Sequence, residues 1–115
     1  MSPEIRPITP DDKTWITRTV TDLWGSDIVV SRGKSHLVSA LPGFVAMIDG
    51  KPIGLITYDL RDSACEVVTI NTTVSGQNIG GMLMDHLIDA MRKLACDYLW
   101  LITTNDNIDA IKFCQ

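Results

Sequence analysis

The order of apolar and polar positions along the chain predicts a series of short strands broken by two helices and followed by the start of a third. Residues 4–8 alternate weakly, as a short first strand does. Thr9-Pro10-Asp11-Asp12 reads as a helix start, with a capping threonine, a proline in the first turn and acids at the positive helix end. Trp15, Ile16, Val20, Leu23 and Trp24 then recur at helical spacing until Gly25 closes the pattern. Residues 26–43 are ambiguous, with Ile28-Val29-Val30 strand-like and Pro42-Gly43 a turn. Residues 44–48 and 52–60 flank Asp49-Gly50, a pair suited to the positive dihedrals of a tight hairpin turn. Arg61-Asp62-Ser63 leads into a third strand over residues 65–71. A long helix is predicted over residues 78–95, with Ile79, Leu83, Leu87, Met91 and Leu94 on its apolar face. Residues 97–104 read as a strand buried on both sides, and residues 107–113 as the start of a last helix in which the sequence stops. The class is α+β, a mainly antiparallel sheet flanked by helices with one βαβ crossover.

Composition narrows the function. A chain of 115 residues with 45% hydrophobic and 21% charged residues suits one domain, residues 1–115, and argues against disorder. The longest apolar runs, residues 44–48 and 98–102, are far too short to span a bilayer. Residues 1–6 lack the basic and apolar regions of a signal peptide. The net charge of −4 and the scattered lysines and arginines exclude a basic face for nucleic acid. Cys65, Cys96 and Cys114, with His36 and His86, are too widely spaced for a zinc motif, so no metal is expected. Free thiols point to a reducing cytoplasm.

The chemistry concentrates where the third hairpin strand feeds the long helix. Val74-Ser75-Gly76-Gln77-Asn78-Ile79-Gly80-Gly81 places glycines and small polar residues at a helix N-terminus, where exposed N–H groups favour an anion. The same glycines also suit a turn that only permits tight packing. The spacing is wrong for a dinucleotide-binding Gly-x-Gly-x-x-Gly, and the upstream hairpins are wrong for a doubly wound sheet. A P-loop fails for want of Gly-Lys-Ser or Gly-Lys-Thr.

From Ile5 onward the chain resembles the GCN5-related N-acetyltransferase (GNAT) superfamily. Ser75-Gly76-Gln77-Asn78-Ile79-Gly80 occupies the stretch where that family carries Gln/Arg-x-x-Gly-x-Gly/Ala, and Gly81 follows as the helix begins. Residues 99–113 are similar to the family's fifth strand and its Asn-x-x-Ala-x-x-Phe-Tyr segment, with Asn107, Ala110 and Phe113 in register. The resemblance implies a GNAT-like fold and acetyl transfer from acetyl-CoA to an amine of a small molecule or protein, by direct attack. It implies that the main chain of Val68, Thr69 and Ile70 serves the thioester, and that Ser75, Gly76, Gln77, Asn78, Ile79, Gly80 and Gly81 hold the pyrophosphate. Asn107 corresponds to the helix-start asparagine that contacts the cofactor or its loop. Ser75 and Asn78 depart from the motif without removing backbone N–H groups, and asparagine tolerates unusual dihedrals.

Glu66 sits mid-strand, where propensity and burial both disfavour it. By alternation it is expected to share a face with Val68 and Ile70, as general base or ligand of the substrate ammonium. The alternatives are a solvated strand residue or an ion pair with an arginine. Cys114 stands where the family often has the tyrosine that protonates the departing thiolate; it serves either as that acid or as a small apolar replacement. His36 lies in the ambiguous stretch where the superfamily builds its acceptor pocket. The sequence ends before the superfamily's closing hairpin, so the domain is expected to be incomplete at its C-terminus and to lack that hairpin. Residues 98–104 would then expose an apolar edge that a second copy covers in a homodimer. The rival reading is an impaired acyl-CoA-binding or oligomeric structural protein that keeps the fold.

Overall fold

A computed structural model describes residues 3–31, 34–61, 64–73, 78–94, 98–102 and 108–112. Strand β1 (Glu4–Pro7) leads through a 3-10 turn (Pro10–Asp12) into helix α1 (Lys13–Trp24). The Asp12 carboxylate organises this entry: it accepts from the Thr9 N–H at 2.8 Å and from both arms of the Arg6 guanidinium at 2.8 and 2.9 Å. Gly25 closes α1 in the left-handed region at φ 77°, its N–H donating to the Thr21 carbonyl. Strands β2 (Ile28–Ser31) and β3 (Lys34–Leu37) follow as a separate antiparallel pair. The sequence signals the first of them; Lys34-Ser35-His36-Leu37 carries no apolar run, and its pairing with β2 makes it a strand.

Strands β4 (Gly43–Ile48), β5 (Lys51–Arg61) and β6 (Ala64–Thr72) form the predicted antiparallel series. Asp49 and Gly50 take φ of 53° and 77°, the two positive values a tight hairpin turn requires. Helix α2 (Ile79–Lys93) carries the chain over to β7 (Tyr98–Ile102), which pairs parallel with β6, and β8 (Ile108–Lys112) completes the sheet. The order is β1-β4-β5-β6-β7-β8. No helix among the described residues is long and apolar enough to cross a membrane.

The core divides between the two sheet faces. On one, Ile79, Leu83, Leu87 and Met91 of α2 pack with Phe44, Ile56, Cys65, Val67 and Leu99. Each such side chain contributes about 1.5–3 kcal/mol by leaving water. On the other face, Ile16 and Val20 of α1 meet Val38, Val45 and Leu55. Gly54 sets the approach of α2: a Cβ there would lie 2.9 Å from Ile79 Cγ2 and 3.1 Å from Leu83 Cδ1.

Three expectations need correction. Leu94, assigned to the apolar face of the long helix, is 60% exposed, because α2 ends at Lys93 and Leu94 lies past its last turn. Residues 108–112 form a strand where a helix was expected. A helix this short is marginal by itself, whereas the strand gains a full ladder with β7, from Tyr98↔Lys112 to Ile102↔Ile108. Over residues 98–102 the edge expected to stay open is therefore paired within the chain by β8. Glu66 lies on the sheet face opposite to Ile70, where simple alternation places the two together.

Candidate active site

Strand β6 changes phase partway along its length. Thr69 lies opposite Thr57 and Val67 opposite Tyr58, so Val68 has no counterpart on β5 and forms a β-bulge. Pairing with β7 runs only from Ala64↔Tyr98 to Val67↔Leu101. Beyond Val67, no described strand pairs with that side of β6, although β6 continues to Thr72. The main chain of Val68, Thr69 and Ile70 therefore lies past the last described pairing of β6 with β7. This is the stretch singled out in the sequence.

The bulge also reassigns the side chains. Cys65 and Val67 belong to the α2 core and Ile70 packs against it, while Thr69 bonds across to Thr57 at 2.6 Å. Glu66 shares its face with Thr69 and not with Ile70, contrary to simple alternation, because the extra residue at Val68 inverts the period. Glu66 lies directly opposite Asp59 on β5. His36 reaches over from β3, with Nε2 3.9 Å from Glu66 Oε1, and the side chains are 3% and 12% exposed. Donor atoms of His36, Asp59 and Glu66 all lie within 4.8 Å of one another. Sequence reading singled out Glu66 and raised His36, but passed over Asp59. The same signal marks it, an acid inside an apolar strand.

Two further groups stand on this face. Thr57 and Thr69 are both buried, their hydroxyls joined. Asn71, by register two positions beyond Thr69, has a buried side-chain amide with no hydrogen-bond partner among the described residues. Nothing in its sequence context distinguishes Asn71 from an ordinary strand-end residue.

At the start of α2, Asn78 adopts φ 54° and ψ 34°, the left-handed conformation that glycine favours. Its carbonyl accepts from the Met82 N–H at 3.1 Å. Its amide lies over Gly81, where a Cβ would stand 2.5 Å from Asn78 Oδ1. Gly80 faces open space within 4 Å of where its Cβ would be. Ile79 is buried beneath the helix, tying this end to the sheet. No acid occupies the first turn. Ser75, Gly76, Gln77, Asn107 and Cys114 lie outside the described residues.

A mainly antiparallel sheet with one parallel pair, β6 and β7, joined by the crossover helix α2, defines an acyl-CoA N-acyltransferase-like fold. The chain matches the acetyltransferase (GNAT) family over residues 8–115, and it belongs to that family. Two Bacillus subtilis (strain 168) proteins, the uncharacterized YxbD and YdhI, are similar to it at 34% and 31% identity over 93 residues. Those matches cover 80% of this chain, which spans 58% of the length of each relative. A GNAT family acetyltransferase from Brucella melitensis, solved in complex with acetyl-CoA, superposes with a TM-score of 0.74 at 18% identity, covering 99% of this chain and 90% of that one. At that identity the likeness concerns the fold.

Proposed function

We propose that the protein transfers an acetyl group from acetyl-CoA to an amine of a small molecule or protein, by direct attack. The observation that carries this reading is the Val68 bulge, which stands two residues from a largely buried carboxylate and just past the last described pairing of β6 with β7. Acetyl-CoA supplies an activated acetyl thioester. Main-chain N–H groups among Val68, Thr69 and Ile70 stabilise the charge that develops on its carbonyl oxygen. Glu66 holds the incoming ammonium and takes its proton, directly or through water, so that the neutral amine attacks. The first-turn N–H groups of α2 suit the pyrophosphate, since Gly80 is open to approach and Asn78 already holds a left-handed backbone turn. By the family resemblance, Ser75, Gly76 and Gln77 are assigned to the same pyrophosphate and Asn107 to the cofactor or its loop. The proton for the departing thiolate falls to Cys114 or to water. The widely scattered cysteines, with Cys65 buried in the core, suit a reducing cytoplasm.

Thermal melting with and without acetyl-CoA tests binding: a ligand at a hundredfold excess over its dissociation constant adds about 2.7 kcal/mol. In a panel of primary amines, Glu66→Gln should lower turnover by about 10²–10⁴ while leaving the acetyl-CoA-dependent shift in place. An unchanged rate in Glu66→Gln removes it as base. A melting shift without turnover of any amine favours the binding-protein reading.

A further inference from the structure

We propose that His36, Asp59 and Glu66 form a binding site for a divalent transition-metal ion, of the zinc type, where the β2–β3 pair meets the six-stranded sheet. The donor set is one imidazole nitrogen and two carboxylates. That mixture suits zinc and its neighbours better than magnesium or calcium, which favour oxygen donors throughout. The three donors already lie within 4.8 Å of one another. Donors on a tetrahedral ion with bonds of about 2.0–2.1 Å stand roughly 3.3–3.4 Å apart. The His36 Nε2 to Glu66 Oε1 separation of 3.9 Å is close to that value and too long for a hydrogen bond. Rotation about the carboxylate side-chain bonds closes the remainder.

A second observation points to a ligand. The His36 side chain is 3% exposed, and its Nε2 has no hydrogen-bond partner among the described residues. Glu66 Oε2 is in the same position. Buried polar atoms are nearly always satisfied, and one ion between these side chains satisfies both. Asp59 and Glu66 also face each other directly across two strands, an arrangement in which like charges repel and a dication is favoured. Asp59 has a further interaction in the fold. One of its oxygens can keep that contact while the other ligates. The three ligands come from three separate strands, which is why no metal spacing is visible in the sequence.

Three protein ligands leave a fourth position for water. An ion held there ties the β2–β3 pair to the sheet and occupies the carboxylate that the proposed reaction uses as base. Zinc is thus an inhibitor that competes with the acceptor amine and not with acetyl-CoA. The inhibition rests on the acetyl-transfer reading, whereas the binding does not.

The test begins with chelator-treated protein titrated with zinc by calorimetry and with cobalt(II) by visible absorption. The expected result is one equivalent bound, cobalt ligand-field bands without thiolate charge transfer, and a raised melting midpoint. His36→Gln, Asp59→Asn and Glu66→Gln should each weaken zinc affinity at least tenfold, with far-ultraviolet circular dichroism confirming the fold of each variant. Affinity unchanged in all three variants, or a thiolate charge-transfer band, overturns the site. So does absence of binding at micromolar zinc. Because these readouts need no turnover, failure of the site and failure of the acetyl-transfer reading are distinguishable.

Discussion

Replacing Gly54 by alanine tests how the sheet positions the helix that carries the proposed anion cradle. A Cβ at this position would lie 2.9 Å from Ile79 Cγ2, 3.1 Å from Leu83 Cδ1 and 3.4 Å from Ala46 Cβ. Optimal carbon contacts are about 3.5–4.0 Å, so the first turn of α2 must give by roughly half an ångström or more. Leu83 Cδ1 can swing aside, but Ile79 Cγ2 is a branch on Cβ and moves only with the helix. Overpacking of this kind costs about 1–3 kcal/mol. Alanine also restricts the unfolded chain, which returns about 0.4–1 kcal/mol. The net expectation, from the middle of the two ranges, is a loss of about 1.3 kcal/mol, together with weaker acetyl-CoA binding because the helix start is displaced. Urea denaturation should show a lower midpoint at unchanged slope. The double variant Gly54→Ala with Ile79→Ala should lose less than the two single losses combined, the sign of direct contact. A Gly54→Ala protein as stable as the parent would refute the close approach of α2 to β5.

Thr57→Val leaves the buried Thr69 hydroxyl without its partner and should cost about 1–3 kcal/mol by chemical denaturation, whereas Thr57→Val with Thr69→Val should recover most of that loss. Asn78→Gly should keep acetyl-CoA affinity within a few-fold, while Asn78→Val should destabilise by about 1–2 kcal/mol, because a β-branched residue resists φ 54°. The Arg6 guanidinium, with help from the Thr9 N–H, holds the Asp12 carboxyl at about 2, down from 3.8. A folded-state value below the unfolded one stabilises above pH 3.8, and that contribution fades as the pH falls through about 2. Arg6 is 38% exposed and screened by water, so the term is about 1–2 kcal/mol at neutral pH. Denaturation of Asp12→Asn should show a smaller loss of stability between pH 5 and pH 2 than the parent, and equal losses would count against the pair.

Local signals carried much of this architecture. Asp49-Gly50 marked the central hairpin because its two positive φ values are a property of the pair itself. The spacing of Ile79, Leu83, Leu87 and Met91 marked the buried face of α2 for the same reason. Strand β8 was not legible, since its conformation is set by the edge of β7 and not by its own residues. Nor was the meeting of His36 with Asp59 and Glu66, which depends on how the β2–β3 pair lies against a distant part of the sheet. Asp12 was read as a favourable charge at a helix start, but its two bonds from Arg6 depend on tertiary placement.

The bulge at Val68 makes β6 two half-strands in opposite phase. Upstream, odd-numbered Cys65 and Val67 feed the α2 core; downstream, even-numbered Ile70 packs against it. Deleting Val68 would make Val67 and Thr69 neighbours, as their partners Tyr58 and Thr57 already are on β5, and every other side chain of β6 would keep its face. The extra residue is thus one that the packing of the strand does not need. Removing any other single residue from the middle of β6 would instead invert the faces of all positions between it and the bulge. A one-residue deletion at Val68 therefore separates the folding of this strand from the chemistry beside it.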